Sequence, residues 1–486
     1  MSPLTQQQID SVAAQVVQYL KPDAKPELKS KPVPVVTNDN KSIESGAGIF
    51  QTVDEAVQEA KSAFMKLNNM TLEKRKDIIH NIRNLMLEYA EDLAKKAHEE
   101  TGLGRYEDKI LKNKLVTEKT PGPEFLDPAA FSGDRGLTLM ELAPYGVIGA
   151  ITPVTNPTST IICNAIGMLS AGNAVVFNVH PSAKNVSIYN VKLLNMAIKQ
   201  AGGPENLVTA IANPTVESAQ ELMKHKGIRL LVVTGGAGVV KAAMTSGKRA
   251  ICAGPGNPPV VIDETADIEA AARDIVRGAS TDNGIICILE KEVFVVDTIA
   301  DYFMDALSRN NTYILNNEQI QQLEKVIFTE TRGPRKPAVM EKSLIGKNAN
   351  VILSKIGVHV NDDIRLAIAP VEQDHPLVWT EQMMPVLPVV RIPNADAAID
   401  IAIEAEHGFG HTAVMHSKNL DNLSRMAREI NCSIFVKNGP SLAGLGHGGE
   451  GYCSFSIASP TGEGLTTARS FSRERRCVLV DHFRIV

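Results

Sequence analysis

Between Val147 and Asp263 the chain alternates short apolar runs with helical segments, and that texture suits few folds. The runs are "VIGAIT", "AVVFN", "LVTAI", "RLLVV" and "PVVID". They recur about 25 to 35 residues apart where a helix intervenes, the spacing of a parallel βαβ array. Such sheets bind nucleotides at the carboxyl ends of their strands. A second α/β block follows, with strands expected at "EVFVVD", "VLPVVRI", "TAVMHS" and "SIFVK". Ahead of the array, Thr52 and Glu55 form a capping box before Val53, Val57, Ala60 and Phe64, which recur at helical period. The helical region they open is expected to run from near Gly46 to near Thr101.

A chain of 486 residues, 44% of them apolar, exceeds what one core usually serves and has enough for two or three. A formal charge of −5, with Lys and Arg spread along the chain, gives no basic footprint for nucleic acid. No apolar run reaches the roughly 18 residues a membrane-spanning helix needs, and the N-terminus has no basic region followed by an apolar one. The expectation is a cytoplasmic enzyme. The six cysteines (163, 252, 287, 432, 453 and 477) show neither CxxC nor Cys/His metal spacing, so neither a disulfide framework nor zinc is indicated.

At the N-terminus, "LTQQQIDSVAAQVVQYL" places Ile9, Val12, Val16 and Leu20 on one face of a short amphipathic helix within residues 1–20. Residues 21–45 are rich in Pro and Lys and read as a linker. The helix is therefore either tethered away from the body or a terminal helix packed on it.

Two stretches carry candidate chemistry. In "LLVVTGGAGVVKAA" a strand ends at Thr234, and Gly235, Gly236 and Gly238 open a helix whose amides can take a phosphate. The spacing is not GxGxxG, and a tight strand-to-helix turn accounts for the glycines equally well. In "GASTDNGIICILEKEVFVVD" the turn Asp282-Asn283-Gly284 leads into Ile285–Leu289, an apolar run that reads as a strand around Cys287. A cysteine in such a run is usually inert core.

Taken in order, "ITPVTNPTST", "AGNAVVFNVHPSAK", "VVTGGAGVV", "AGPGNPPVVID", "GASTDNGIIC" and "EQMMPVLPVV" resemble the aldehyde dehydrogenase superfamily. More narrowly, the chain is similar to the coenzyme-A-acylating aldehyde dehydrogenases of bacterial microcompartments, the propionaldehyde dehydrogenase type. The likeness continues through "FVKNGPSLAGLGHGGEGYCSFSIASPTGEGLTTARSFSRERRCVLVD" near the end.

The resemblance implies that Cys287 is the nucleophile, whose thiolate adds to an aldehyde and, after hydride loss, holds a thioacyl group. It implies a second oxyanion donor from the turn Pro153-Val154-Thr155-Asn156-Pro157. Aligned prolines put Thr155 at the family's Asn, with Asn156 one place later, so both stand as candidates. Cofactor contacts are implied for Thr152 and Pro153, for His180 and Pro181 in "NVHPSAK", for Thr234, Gly235 and Gly236 beneath the pyrophosphate, and for Glu381 on the nicotinamide ribose. Met383 stands where the family usually has Phe, and "NVHPSAK" lacks the usual acidic residue, which leaves NADP open beside NAD. Hydrolytic relatives carry a glutamate that activates water. Here Cys252 takes its place, which favours coenzyme A as acyl acceptor. His407 and His411 in "EHGFGHTAV" are read as loop and strand residues.

The fold implied is α/β and aldehyde dehydrogenase-like. Residues 46–125 and 146–255 would form a Rossmann-like NAD-binding domain, 256–443 a second α/β catalytic domain, and 126–145 with 444–486 a small β oligomerisation element. The implied reaction turns a short-chain aldehyde, propionaldehyde first, with NAD and coenzyme A into acyl-CoA and NADH. The implied partners are a microcompartment shell protein bound through residues 1–20, which would place the enzyme in the lumen, and further copies in a homodimer or homotetramer. Alternatives are a hydrolytic or phosphorylating aldehyde dehydrogenase, or a non-catalytic nucleotide-binding or shell-associated assembly protein.

Overall fold

The computed structural model describes residues 47–486, so the amphipathic helix and the linker lie outside the described residues. The helical region expected to end near Thr101 is three helices, Val53–Asn68, Leu72–Glu88 and Ala90–Thr101, and a fourth, Tyr106–Lys119, follows before the array. The Thr52/Glu55 capping box is formed reciprocally at 3.2 Å in both directions.

Six parallel strands make the first sheet, in spatial order Ile49–Phe50, Val208–Ile211, Ala174–Asn178, Val147–Ile151, Leu230–Thr234 and Arg249–Ala253. Four of the five apolar runs are its inner strands. "PVVID" instead supplies Pro259–Ile262, inside a second parallel sheet of seven strands. That sheet also holds the four expected strands of the second block, as Glu292–Val296, Val386–Ile392, Thr412–His416 and Ile434–Lys437. Both sheets are buried on both faces, as parallel sheets covered by crossover helices must be. The chain winds outward from Val147–Ile151 to one side and then returns to Leu230–Thr234 on the other. The order therefore reverses between these neighbours, and the crevice beyond their carboxyl ends is where an open α/β sheet takes its ligand.

A third, antiparallel sheet joins Ala129–Gly133, Gly136–Pro144 and the late strand Ser472–Val480, with Met140 opposite Arg476. "TLMELAPY" thus pairs with the end of the chain.

Candidate active site

The segment bearing Cys287 begins with a left-handed reversal. Helix Ile268–Ser280 ends, and Asp282, Asn283 and Gly284 take φ of 47°, 56° and 74°. Glycine adopts this region freely, but side-chain-bearing residues need outside support. The support comes from helix Tyr106–Lys119 and the residue before it. The Asp282 carboxylate, fully buried, accepts from the Arg105 backbone N–H at 2.8 Å, from Lys109 Nζ at 3.2 Å and from Lys112 Nζ. The Asp282 N–H donates to Asp108 at 2.7 Å. Asn283 accepts from Arg105 Nε at 3.0 Å and donates to the Gly346 carbonyl at 2.8 Å. Gly104 is glycine for a steric reason, since a Cβ there would lie 1.8 Å from Asp282 Oδ1.

The strand expected around Cys287 is absent: Ile285–Leu289 form a bend and turn, and pairing starts only at Glu292. An apolar run reports burial rather than extension. Here Ile285, Ile286, Ile288 and Leu289 are buried by packing after a reversal that leaves no straight path for a ladder. From Gly278 to Val296 every residue is buried except Cys287, which is partly exposed.

Charge around the thiol is unusual. Burial first, and the Glu381 carboxylate second, push the Cys287 thiol up to about 12, while Lys291 opposes them. Lys291 is 2% exposed, and its ammonium donates to the carbonyls of Gln382, at 3.0 Å, and Gly284. Glu381 accepts from the Gly256 N–H at 3.2 Å, and burial raises its carboxyl to about 7 against the pull of Lys291. His407 and His411 part company. His407 donates to or accepts from nothing catalytic, lying 2.9 Å from the Trp379 carbonyl and edge-on to Trp379 and Phe409. The His411 ring instead packs against Gly256, which also abuts the Cys287 carbonyl. Burial and Lys291 lower His411 to about 4, so the imidazole is held neutral, and its Nε2 is buried without a partner.

Thr155 and Asn156 follow strand Val147–Ile151 and lead into helix Pro157–Ser170. Asn156 is buried and occupies the helix N-cap without capping it. Its Oδ1 accepts from Lys112 Nζ at 2.7 Å and its Nδ2 donates to Thr155 Oγ1 at 3.2 Å. Lys112 therefore joins this turn to Asp282, five residues before Cys287.

The residues expected to contact the cofactor lie around the sheet's reversal. Thr152 Oγ1 is buried there without a partner, and Gly236 caps helix Ala237–Met244 with no side chain. A Cβ on Gly236 or Gly238 would meet nothing within 4 Å, so the start of the helix borders open space, while the Gly235 N–H donates to the Ala253 carbonyl at 3.1 Å. An orphaned hydroxyl and a bare helix start fit the pyrophosphate of a dinucleotide. Thr234 reaches Ser456 Oγ at 3.2 Å. Pro153 is partly exposed beside Thr152, and His180 and Pro181 are exposed past the adjacent strand, with His180 Nδ1 accepting the Ser182 N–H at 3.2 Å. Cys252 is fully enclosed on strand Arg249–Ala253, and burial with the Glu463 charge raises its thiol to about 11. Glu463 itself pairs with Arg249 at 3.7 Å. Among the described residues no cluster of three or more His, Cys, Asp or Glu is placed to hold a metal.

Sequence reasoning did not find Lys109, Lys112, Asp282 or Lys291. A signal existed for three of them. Lys109, Lys112 and Val116 share a helix face at i, i+3 and i+7, and Lys291 sits between two apolar runs.

The profile of the aldehyde dehydrogenase family matches residues 37–456. An acetaldehyde dehydrogenase (acetylating), EutE, of Salmonella typhimurium is 50% identical over 440 residues, covering 90% of this chain and 94% of the relative. Among solved structures, a Rhodopseudomonas palustris propionaldehyde dehydrogenase, with bound CoA and an acylated cysteine, superposes with a TM-score of 0.87 at 49% identity. The match covers 90% of this chain and 98% of that one. A propionaldehyde dehydrogenase from the fucose utilisation bacterial microcompartment of Clostridium phytofermentans gives a TM-score of 0.88 at 47% identity, over 90% and 100% of the two chains.

Proposed function

Because the chain belongs to the aldehyde dehydrogenase family, we propose that it oxidises a short-chain aldehyde, propionaldehyde foremost, with NAD and coenzyme A to acyl-CoA and NADH. The observation that carries the reading is Cys287: the single accessible residue in a buried stretch of nineteen is a thiol, beside the buried ammonium of Lys291.

The Cys287 sulfur adds to the aldehyde carbon, and the carbonyl oxygen becomes an oxyanion. Lys291 favours the thiolate required for that step, against the burial that disfavours it. The oxyanion takes hydrogen bonds from the turn at Thr155 and Asn156 and from backbone N–H groups near Cys287. Bound NAD would supply the acceptor for the hydride that leaves the former aldehyde carbon, and Thr152, Gly235, Gly236 and Glu381 would hold it. Loss of hydride leaves a thioester on Cys287. The thiolate of coenzyme A then attacks that carbon, acyl-CoA departs, and Cys287 is released as a thiolate. The unpartnered Nε2 of His411 would accept the proton of the incoming thiol. The test is product analysis with acetaldehyde, propionaldehyde and butyraldehyde. NADH and acyl-CoA should form in equal amounts, fastest with propionaldehyde; free acid as the main product would reject the reading.

The Clostridium relative belongs to a microcompartment, which supports a lumenal location here and a shell-binding role for residues 1–20. Their apolar stripe is too small for stable membrane anchoring but suits a groove on a shell protein. Among the described residues no helix is long and apolar enough to cross a membrane. A fluorescent protein fused to residues 1–20 should co-localise with shells, and Ile9→Glu with Val16→Glu should disperse it. Uniform fluorescence from the unsubstituted fusion would contradict the role.

Self-association is supported by the third sheet. Its edge strand exposes Val478, Leu479 and Val480 at 55%, 43% and 60%, and Phe131 on the other edge is 59% exposed. Unpaired apolar edges invite pairing with another copy. Light scattering should give a dimer or tetramer of the 52.5 kDa chain; a monomer would refute this.

A further inference from the structure

Resting on that reading, we propose that Lys112 is a positioning residue: it fixes the orientation of the Asn156 carboxamide and ties the oxyanion turn to the segment bearing Cys287. Lys112 is 3% exposed, and its ammonium has three protons to donate. They are matched by three acceptors: the Asp282 carboxylate, Asn156 Oδ1 at 2.7 Å and the Thr155 carbonyl at 3.5 Å. An ammonium can only donate, so the carboxamide must present its oxygen to Lys112 and turn its NH2 the other way. One of those two protons goes to Thr155 Oγ1 at 3.2 Å. The other is left over, on a buried side chain at the start of the helix, and it is the donor an oxyanion needs. With the ammonium gone the carboxamide can rotate, and an oxygen facing the oxyanion would repel it.

The surroundings make the arrangement testable. Lys109 also binds Asp282, at 3.2 Å, so removing Lys112 does not strand that carboxylate. The other charges facing the cluster are Arg105 and Asp108, and Asp108 is paired with Arg365 at 2.6 Å. Burial lowers Lys112 to about 8 despite the pull of Asp282, with Lys109 adding to the lowering and Asp108 opposing it. Raising pH through that value removes the proton that dictates the amide orientation, so kcat should fall on the alkaline side.

The experiment uses the full-length enzyme with propionaldehyde, NAD and coenzyme A. Lys112→Met should lower kcat about 10- to 100-fold, leave the aldehyde KM within about threefold, and abolish the alkaline fall. Asn156→Ala should cost about 10²- to 10³-fold, and adding Lys112→Met to it should cost less than about threefold more. Asn156→Asp keeps a contact for Lys112 but has no N–H to offer. It should fold normally and lose kcat as Asn156→Ala does, which keeps the test valid if Lys112→Met fails to fold. Full kcat in Lys112→Met or in Asn156→Asp, or equal losses from Lys112→Met in both backgrounds, would overturn the proposal. The unsubstituted enzyme separates the two readings: if it makes no NADH, the aldehyde dehydrogenase assignment itself is wrong.

Discussion

Replacing Cys287 by alanine is expected to remove aldehyde oxidation and the reverse reduction of acyl-CoA together, by roughly 10⁴-fold or more, as loss of a covalent nucleophile does. Both directions pass through one thioester, and one sulfur carries it. The protein should nonetheless stay folded. Cys287 is partly exposed in a turn, and the reversal before it is held by Asp282 and Asn283 rather than by the thiol. Cys163→Ala and Cys432→Ala make the control. Cys163 is buried, with Sγ accepting the Phe455 N–H at 3.3 Å, and burial raises its thiol, so it is inert packing. Removing it should cost about 1 kcal/mol of stability and little activity. Progress curves of NADH formation check all three variants, and turnover by the Cys287 variant near that of the parent would sink the mechanism.

Without coenzyme A, the enzyme is expected to release about one equivalent of NADH per active site and then slow by roughly 10²-fold or more. The size follows from what is missing, since general-base help to water is worth about 10²- to 10⁴-fold. Cys252, which the sequence resemblance puts at the place of the hydrolytic glutamate, is enclosed on its strand with its N–H on Thr461 Oγ1 at 3.0 Å. Glu463, whose charge acts on Cys252, is engaged by Arg249. Coenzyme A brings its own nucleophile, and a few per cent of it is thiolate near neutral pH. Adding it should restore rapid turnover with acyl-CoA as product. The missing base cannot simply be grafted in: Cys252→Glu would bury a carboxylate beside Glu463 and destabilise the protein. Rapid-mixing absorbance measurements read the burst, and equal steady rates with and without coenzyme A would contradict the account.

Much of the architecture was legible because parallel strands buried on both faces are apolar throughout. "VIGAIT", "AVVFN" and "RLLVV" announce themselves without any partner in view. Strand Arg249–Ala253 escaped notice because its first two residues reach solvent and break the apolar run. The run Ile285–Leu289 misled for the opposite reason: its residues are buried, but a left-handed reversal turns them through a bend. Local sequence shows that Asp282 and Asn283 tolerate such φ values. It does not show that Arg105, Lys109 and Lys112, 170 or more positions away, hold them there. Of the proposed site, the part a sequence can offer is the part that lies in motifs. Cys287, Glu381 and the glycines belong to motifs, whereas Lys112, Lys291 and His411 matter through neighbours that only folding supplies.

The most direct test of the central claim is mass spectrometry of enzyme quenched during the burst with propionaldehyde and NAD. One propionyl group should be found on the peptide containing Cys287, in amount equal to the NADH released. Coenzyme A should return that peptide to the free thiol as propionyl-CoA forms. NADH released while Cys287 stays unmodified, or a propionyl group on any other residue, would contradict the account.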